Sequence, residues 1–280
     1  MSLLINSGFP GGFTVLMAVY AKDDVLLFEK AVMSVFKNDL QPDAFVLVVD
    51  GPVPDLLSHL IESLKVRCGI SVLYLKKNVG LAAALNAGLE LVCTEWLVRA
   101  DADDLNVDNR FKLQADFLKK EGDIDIFGGA IQEVDRSGTL LAVRRTVETH
   151  EQILSYACKR NPFNHMTVAC RTEFVKLCGG YPNIYLKEDY ALWASMLAAG
   201  ARSANMPNIL VRATTGRDMY RRRGGFRYAM AEIALQKHLV NIRLKPKYMA
   251  ILHGLGRSAI FIMPSAIRGL IYEKILRQAK

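Results

Sequence analysis

The chain has 280 residues, room for one large domain or for a domain with an extension, and the balance of 51% hydrophobic to 23% charged residues is that of a soluble enzyme. Its five cysteines (Cys68, Cys93, Cys158, Cys170, Cys178) are odd in number, widely spaced and form no C-x-x-C pair, which argues against a disulfide framework or a zinc site and for a reducing compartment. The net charge of +8 is unevenly placed: residues 217–280 hold fourteen Lys/Arg against three Asp/Glu, a surplus of +11 that leaves the preceding residues at about −3.

The N-terminal stretch MSLLINSGFPGGF lacks the basic start and long apolar core of a signal peptide, so a cytoplasmic location is expected. In chain order, FTVLMAVY (13–20) reads as a buried strand and VLLFEKAVMSVFKN as the helix that follows it. AFVLVVDG (44–51) is a second strand closed by Asp-Gly, DLLSHLIESLKVRC an amphipathic helix, and ISVLYLKKN a third strand. GLAAALNAGLELV forms a helix despite its glycines, and EWLVRADADD supplies a fourth strand. Strands alternating with helices of this length imply βαβ units and a mainly parallel sheet. Further on, RFKLQADFLKKEG is a helix with a glycine stop. DIFGGAIQEVDRSGTLLAVRR is two strands around a Ser-Gly turn, and HMTVACRTEFVKLCGGY a strand and a helix. LKEDYALWASMLAAGAR is a helix with Gly200 as its stop.

In open α/β sheets ligands bind beyond the carboxyl ends of the strands. Tyr20, Asp50, Asn78 with Gly80, and Asp101 to Asp104 all fall there, and their convergence says more than any one of them. Asp101 and Asp103, two apart on a strand, face one side and suit a shared Mg²⁺ or Mn²⁺, or else simply turn the chain and cap a helix. Asp50-Gly51 fits either a hydrogen bond to a nucleotide or a plain turn. Gly80, Ala82, Ala83 and Ala84 permit close approach of a flat ligand or of the sheet. Glu188-Asp189 opens a helix, where the dipole stabilises carboxylates and keeps one ionised for general-base work. His165 is either a structural histidine or a catalytic one, and RDMYRRRGGFR is either a solvated basic face or a phosphate clamp.

Taken together, VLMAVY, VVDG, KNVGLAAALNAGL, RADADDL…NRF..Q..FL, GGY and EDYALW resemble the family 2 glycosyltransferases of GT-A fold, over about residues 12–225. The likeness is nearest to the bacterial enzymes of O-antigen and amylovoran-type exopolysaccharide synthesis. It implies a Rossmann-like sheet flanked by helices in a GT-A domain of residues 1–216, followed by a basic helical extension of residues 217–280. It further implies a nucleotide pocket lined by Ala18, Tyr20, Asp50, Asn78 and Gly80. Asp103 would sit on Mn²⁺ or Mg²⁺, and Asp101 on the ribose or metal side, with Asp104 supporting the loop. Asp189 matches the general base, Glu188 its support, and His165 a position near the diphosphate or acceptor. Arg217 and Arg221 to Arg223 would clamp the leaving diphosphate.

The implied reaction is inverting transfer from a nucleotide-sugar, UDP-hexose foremost, to a hydroxyl of a lipid-linked saccharide. Three features depart from the family pattern. Val107-Asp108-Asn109-Arg110 stands where relatives carry Pro-Asp-Arg, and Met166 stands where they carry proline. The Gln-x-x-Arg-Trp motif of processive synthases is absent, which favours single addition. A nucleotidyltransferase would carry a glycine-rich basic loop after the first strand, where this chain has the acidic AVYAKDD. Nucleic acid is not expected as a partner, because the strand-end carboxylates would repel phosphates. The tail has no apolar run of about 18 residues and so no transmembrane helix is expected. IRGLIYEKILRQAK places Ile267, Leu270, Ile271 and Ile275 on one helical side, either packed on the domain or lying peripherally on the anionic inner membrane.

Overall fold

The computed structural model describes residues 8–215 and 224–263; Arg217, Arg221 to Arg223 and the Ile267–Ile275 stripe lie outside them. Strands β1 (Phe13–Val19), β2 (Ala44–Val49), β3 (Ser71–Tyr74) and β4 (Trp96–Arg99) are mutually parallel in the order β3-β2-β1-β4. The helices between them are α1 (Val25–Phe36), α2 (Asp55–Cys68) and α3 (Leu81–Leu89). Alternate residues of β1 serve two cores, as the two-residue strand period requires. Val15, Met17 and Val19 meet Phe28, Val32 and Leu57 on one face, while Leu16 joins Val46, Val48 and Leu85 on the other. The glycine inside α3 has a packing reason. A Cβ on Gly88 would lie 2.6 Å from side-chain carbons of both Leu16 and Val48, so its absence lets the helix sit down on the sheet.

The second half adds β5 (Leu105–Asn106), α4 (Arg110–Glu121), β6 (Ile126–Val134), β7 (Leu140–Arg144) and α5 (His150–Ala157). Then come β8 (Ala169–Arg171), α6 (Thr172–Leu177), α7 (Glu188–Ala198) and β9 (Ser203–Thr214). The sheet continues past β4 as β8-β6-β9-β5, with β7 hanging on β6. β8 runs antiparallel to both β4 and β6, and β9 runs parallel to β6. The expected β6–β7 pair around the Ser-Gly turn is present and antiparallel. All five cysteines are free thiols. Among the described residues no helix is long and apolar enough to cross a membrane.

After β9 two helices, α8 (Phe226–Asn241) and α9 (Lys247–Ile262), form a hairpin. It packs on α7 through Leu235 and Leu239, which meet Tyr190, Ala191 and Ala194. A buried charge cluster reinforces the joint. Glu232 of α8 is fully buried, with Lys187 Nζ at 3.0 Å and Arg257 Nη1 at 3.2 Å, and it accepts a 2.8 Å hydrogen bond from Gln236. Lys187 also lies over the Tyr228 ring, 4.5 Å from its centroid.

Removing one partner of a buried pair leaves its counterions without compensation. Glu232→Ala is therefore expected to lose about 3 kcal/mol of stability, the low end for such deletions because Arg257 keeps some contact with water. Urea unfolding of the two proteins measures this directly; a shift of under about 0.5 kcal/mol, the size of a surface change, would mean the cluster does not hold the hairpin.

Candidate active site

The carboxyl ends of the four parallel strands form one edge, as expected for a ligand site. Asp50, just past β2, is buried, and its carboxylate accepts the backbone N–H of Val79 (2.7 Å) and of Gly80 (3.0 Å). The Asn78 amide donates to the Asp50 carbonyl at 3.1 Å. Gly51 has φ +87°, and a Cβ there would fall 2.4 Å from the Asn78 nitrogen. The Asp50-Gly51 pair thus pins the loop that opens α3, whose N-cap is Gly80. The sequence offered a plain turn as the structural role of this pair; the fastening of a loop some thirty residues away goes beyond it. Ala18 lies in β1 with its side chain part-buried, and the Tyr20 backbone N–H donates to Asp23 at 2.9 Å.

The aspartate triplet is reached by a turn, not by strand pleating. β4 ends at Arg99, and residues 101–104 leave the sheet. Asp101 is part-buried, Asp103 exposed and Asp104 buried, yet each brings an oxygen to within 4.8 Å of the others. Asp104 also accepts the Thr214 N–H at 2.9 Å, which ties the turn to the end of β9. Burial, together with the charges of Asp103 and Asp101, pushes the Asp104 carboxyl well above the ordinary carboxylate range. Three crowded carboxylates of this kind are hard oxygen donors suited to a divalent cation.

Asp101 has its own counterions. It accepts a 2.8 Å hydrogen bond from Arg99, whose side chain is buried, and a 2.6 Å one from His165 Nε2. Burial alone would raise this carboxyl, but the charges of His165, Arg99 and Arg110 outweigh it and hold the group well below the usual range. Arg110 is fully buried and donates to the Arg99 carbonyl (2.9 Å), to Gln114 (3.2 Å) and to Asn106, so the NRF..Q segment braces the aspartate turn from beneath.

The other ring nitrogen of His165 lies 3.5 Å from Asp189, at the start of α7. Asp189 also accepts 2.8 Å from the Asn161 amide. Glu188 is buried beside it, and burial followed by the Asp189 charge raises its carboxyl to about 7. Asp101, Asp103, His165, Glu188 and Asp189, all singled out in the sequence, therefore belong to one cluster. Arg99, Asn161 and the second role of Asp104 were missed. Arg221 lies outside the described residues.

Residues 14–176 match the model of the family described as glycosyl transferase family 2. The chain belongs to that family. This glycosyltransferase is 36% identical over 266 residues to a UDP-Gal:α-D-GlcNAc-diphosphoundecaprenol β-1,3-galactosyltransferase of Escherichia coli, a match covering 95% of this chain and 97% of the relative. It is 31% identical over 262 residues to the amylovoran biosynthesis glycosyltransferase AmsE of Erwinia amylovora, covering 94% and 98%. Among solved structures, Staphylococcus aureus TarS (residues 1–349) in complex with UDP-GlcNAc superposes with a TM-score of 0.65 at 17% identity, over 95% of this chain and 74% of that one. A mannosyltransferase of Pyrobaculum calidifontis, in complex with GDP-Man and Mn²⁺, superposes at 0.60 and 16% identity, over 95% and 81%. At those identities the structural likeness concerns the fold, which is that of the GT-A enzymes.

The His165 ring carries a consequence for pH. Burial disfavours its charge, but Asp101 and then Asp189 outweigh that and raise its pKa to about 9, against about 6.5 in an unfolded chain. A raised pKa stabilises the fold fully below about pH 6.5, and the gain is lost as pH rises through about 9. Urea unfolding of the metal-free protein from pH 6.5 to 9.5 is expected to show a decline in stability that His165→Gln lacks. Parallel curves for the two proteins would show that the ring is not a cation in the fold.

Proposed function

We propose that this glycosyltransferase moves a hexose from UDP to a hydroxyl of a saccharide carried on a lipid diphosphate, inverting the anomeric carbon, in the assembly of bacterial O-antigen or exopolysaccharide. The observation that carries the reading is the placement of Asp189 beside His165, with the Asp101–Asp104 turn on the ring's other side. The full-length likeness to the E. coli galactosyltransferase and to AmsE supports the choice of donor and acceptor class.

In this reading Ala18, Tyr20, Asp50, Asn78 and Gly80 border the nucleotide, and Asp50 does so while fastening the loop that carries Gly80. Asp103, Asp101 and Asp104 would hold Mn²⁺ or Mg²⁺, for which their crowded oxygens are suited. When bound, that ion would supply Lewis-acid stabilisation of the departing diphosphate. Asp189 accepts the proton of the acceptor hydroxyl as its oxygen bonds to the anomeric carbon and the bond to the diphosphate breaks. The His165 cation orients the Asp189 carboxylate from one side and Asn161 does so from the other. Glu188, with its carboxyl raised to about 7, is protonated for much of the time at neutral pH and donates a hydrogen bond on the acceptor side. Arg221 is proposed as a diphosphate clamp from the basic segment before α8. In this reading the enzyme works on its lipid-linked acceptor peripherally at the cytoplasmic face of the inner membrane, with the basic segment of residues 267–280 as a contact to anionic lipid.

A screen of UDP-, GDP- and dTDP-sugars, scored by nucleotide release in the presence of a lipid-diphosphate saccharide, tests the whole reading; turnover with none of them would end it. Asp189→Asn is expected to lower kcat by about 10²–10⁴-fold with little change in donor KM, because a general base acts in the transition state. Near-normal turnover in that variant would remove Asp189 from the base role. Excess chelator should abolish transfer and Mn²⁺ or Mg²⁺ restore it, whereas full activity in chelator would leave the aspartate turn a purely structural element.

A further inference from the structure

Helix α9 is turned inside out relative to a helix that faces water. Past its first turn its polar side chains point inward. Arg257 pairs with Glu232 and donates to the Lys159 carbonyl, His253 Nδ1 lies 2.9 Å from Lys245, and Ser258 donates to the Ala229 carbonyl at 3.2 Å. The side packed on α8 is made of the small residues Ala250, Gly254 and Ser258, together with Phe261. The opposite side holds Tyr248, Leu252, Leu255, Ala259 and Ile262, spaced at three and four residues. Tyr248 is 73% exposed, Leu252 70% and Leu255 65%, so among the described residues nothing covers them. The stripe runs the whole 16-residue helix, about 24 Å. A solvated helix of a soluble domain carries its charges on this side.

The surrounding charges narrow what can cover such a stripe. From residue 224 to 263 the exposed charged side chains are Arg227, Lys237, Arg243 and Lys247, all cationic. The one acidic residue there, Glu232, is fully buried in its ion pairs. A second copy of this chain docking through a two-fold would set these cations against each other, since such an interface meets itself. An anionic surface with an apolar interior matches both the charges and the stripe.

We infer that the outer face of α9 docks on the headgroup region of an anionic phospholipid bilayer, with Tyr248, Leu252 and Leu255 entering the acyl boundary and Lys237 and Lys247 meeting the phosphates. This deepens the membrane contact assigned above to residues 267–280 and rests on it only in the choice of a bilayer as partner. It moves the contact onto a helix that packs on α8, and α8 in turn packs on α7 through Leu235 and Leu239, so the docked face is tied through α8 to the helix that begins at Glu188–Asp189.

Flotation of the full chain with phosphatidylglycerol-containing vesicles, and with phosphatidylcholine vesicles alone, tests it. The wild-type chain should float with the anionic vesicles and much less with the neutral ones. Leu252→Glu/Leu255→Glu should reduce the bound fraction at least tenfold while leaving the thermal midpoint and transfer to a water-soluble acceptor unchanged, since both side chains are exposed and glutamate suits a helix. A chain ending at Met263 should still bind anionic vesicles. Equal flotation of wild type and double variant, or loss of binding in the shortened chain alone, would overturn the inference. So would a wild-type dimer in light scattering that the double variant makes monomeric, because the face would then be an interface between copies. Failure of sugar transfer with vesicle binding intact would strike the proposed reaction and leave this docking face standing.

Discussion

The site depends on how one part-buried negative charge is compensated. Asp101 sits past the end of a strand that is covered on both faces, where an isolated carboxylate would give up its charge. Arg99 from its own strand and His165 from the turn before β8 meet it at 2.8 and 2.6 Å. Because His165 answers Asp101 with one nitrogen, its other nitrogen is aimed at Asp189. One ring therefore fixes the relative position of the aspartate turn and the first turn of α7. In the proposed reaction these are the places where charge would develop on the leaving group and where a proton would be taken up.

That arrangement needs a rigid floor, and the second layer supplies it through main-chain contacts. Arg110 holds the Arg99 carbonyl, and Gln114 on the same helix donates to the Thr167 carbonyl at 3.1 Å. Thr167 in turn accepts the Gly129 N–H at 2.9 Å, which links the turn carrying His165 to β6. A single helix, α4, thus connects the end of the parallel half of the sheet to the mixed half. The replacement of the family's Pro-Asp-Arg by Val107-Asp108-Asn109-Arg110 leaves the arginine in place, and it is the arginine that makes these bonds.

The first half of the fold was legible because its signals are local. Apolar runs gave β1, β2 and β4, and DLLSHLIESLKVRC gave α2 to the residue. β9 was not legible: Pro207 interrupts its alternation, and its pairing with β6 shifts register between Gly129 and Ile131, so no steady period marks it. The site divides in the same way. Asp101, Asp103 and Asp189 could be named from short motifs. Asp104 could be given loop support from the same motif, but not the partner through which it acts, since Thr214 is 110 residues away. Arg99 reads in the sequence as one charge interrupting an apolar run, which was itself the available signal, as a buried strand carries an arginine only where something neutralises it. Asp50 shows the reverse case. A strand-end Asp-Gly pair suggested a ligand contact or a local turn, and neither reading names the N–H groups some thirty residues on that engage both of its oxygens.

Helix α7 is held at its start by two charge systems of different kinds. Asp189 faces the His165 ring, and two residues earlier Lys187 reaches the buried Glu232 of the C-terminal hairpin. Leu186, between the Tyr185 ring that stacks on Arg227 and this lysine, adopts φ +54°, a conformation costly for a leucine. The chain accepts that cost where it must turn sharply to deliver Lys187 to the hairpin and Glu188–Asp189 to the site. The strain, the buried ion pair and the carboxylate pair occupy four consecutive residues. The α8–α9 hairpin is consequently joined, through Lys187 and the packing of Leu235 and Leu239, to the helix that carries the proposed base.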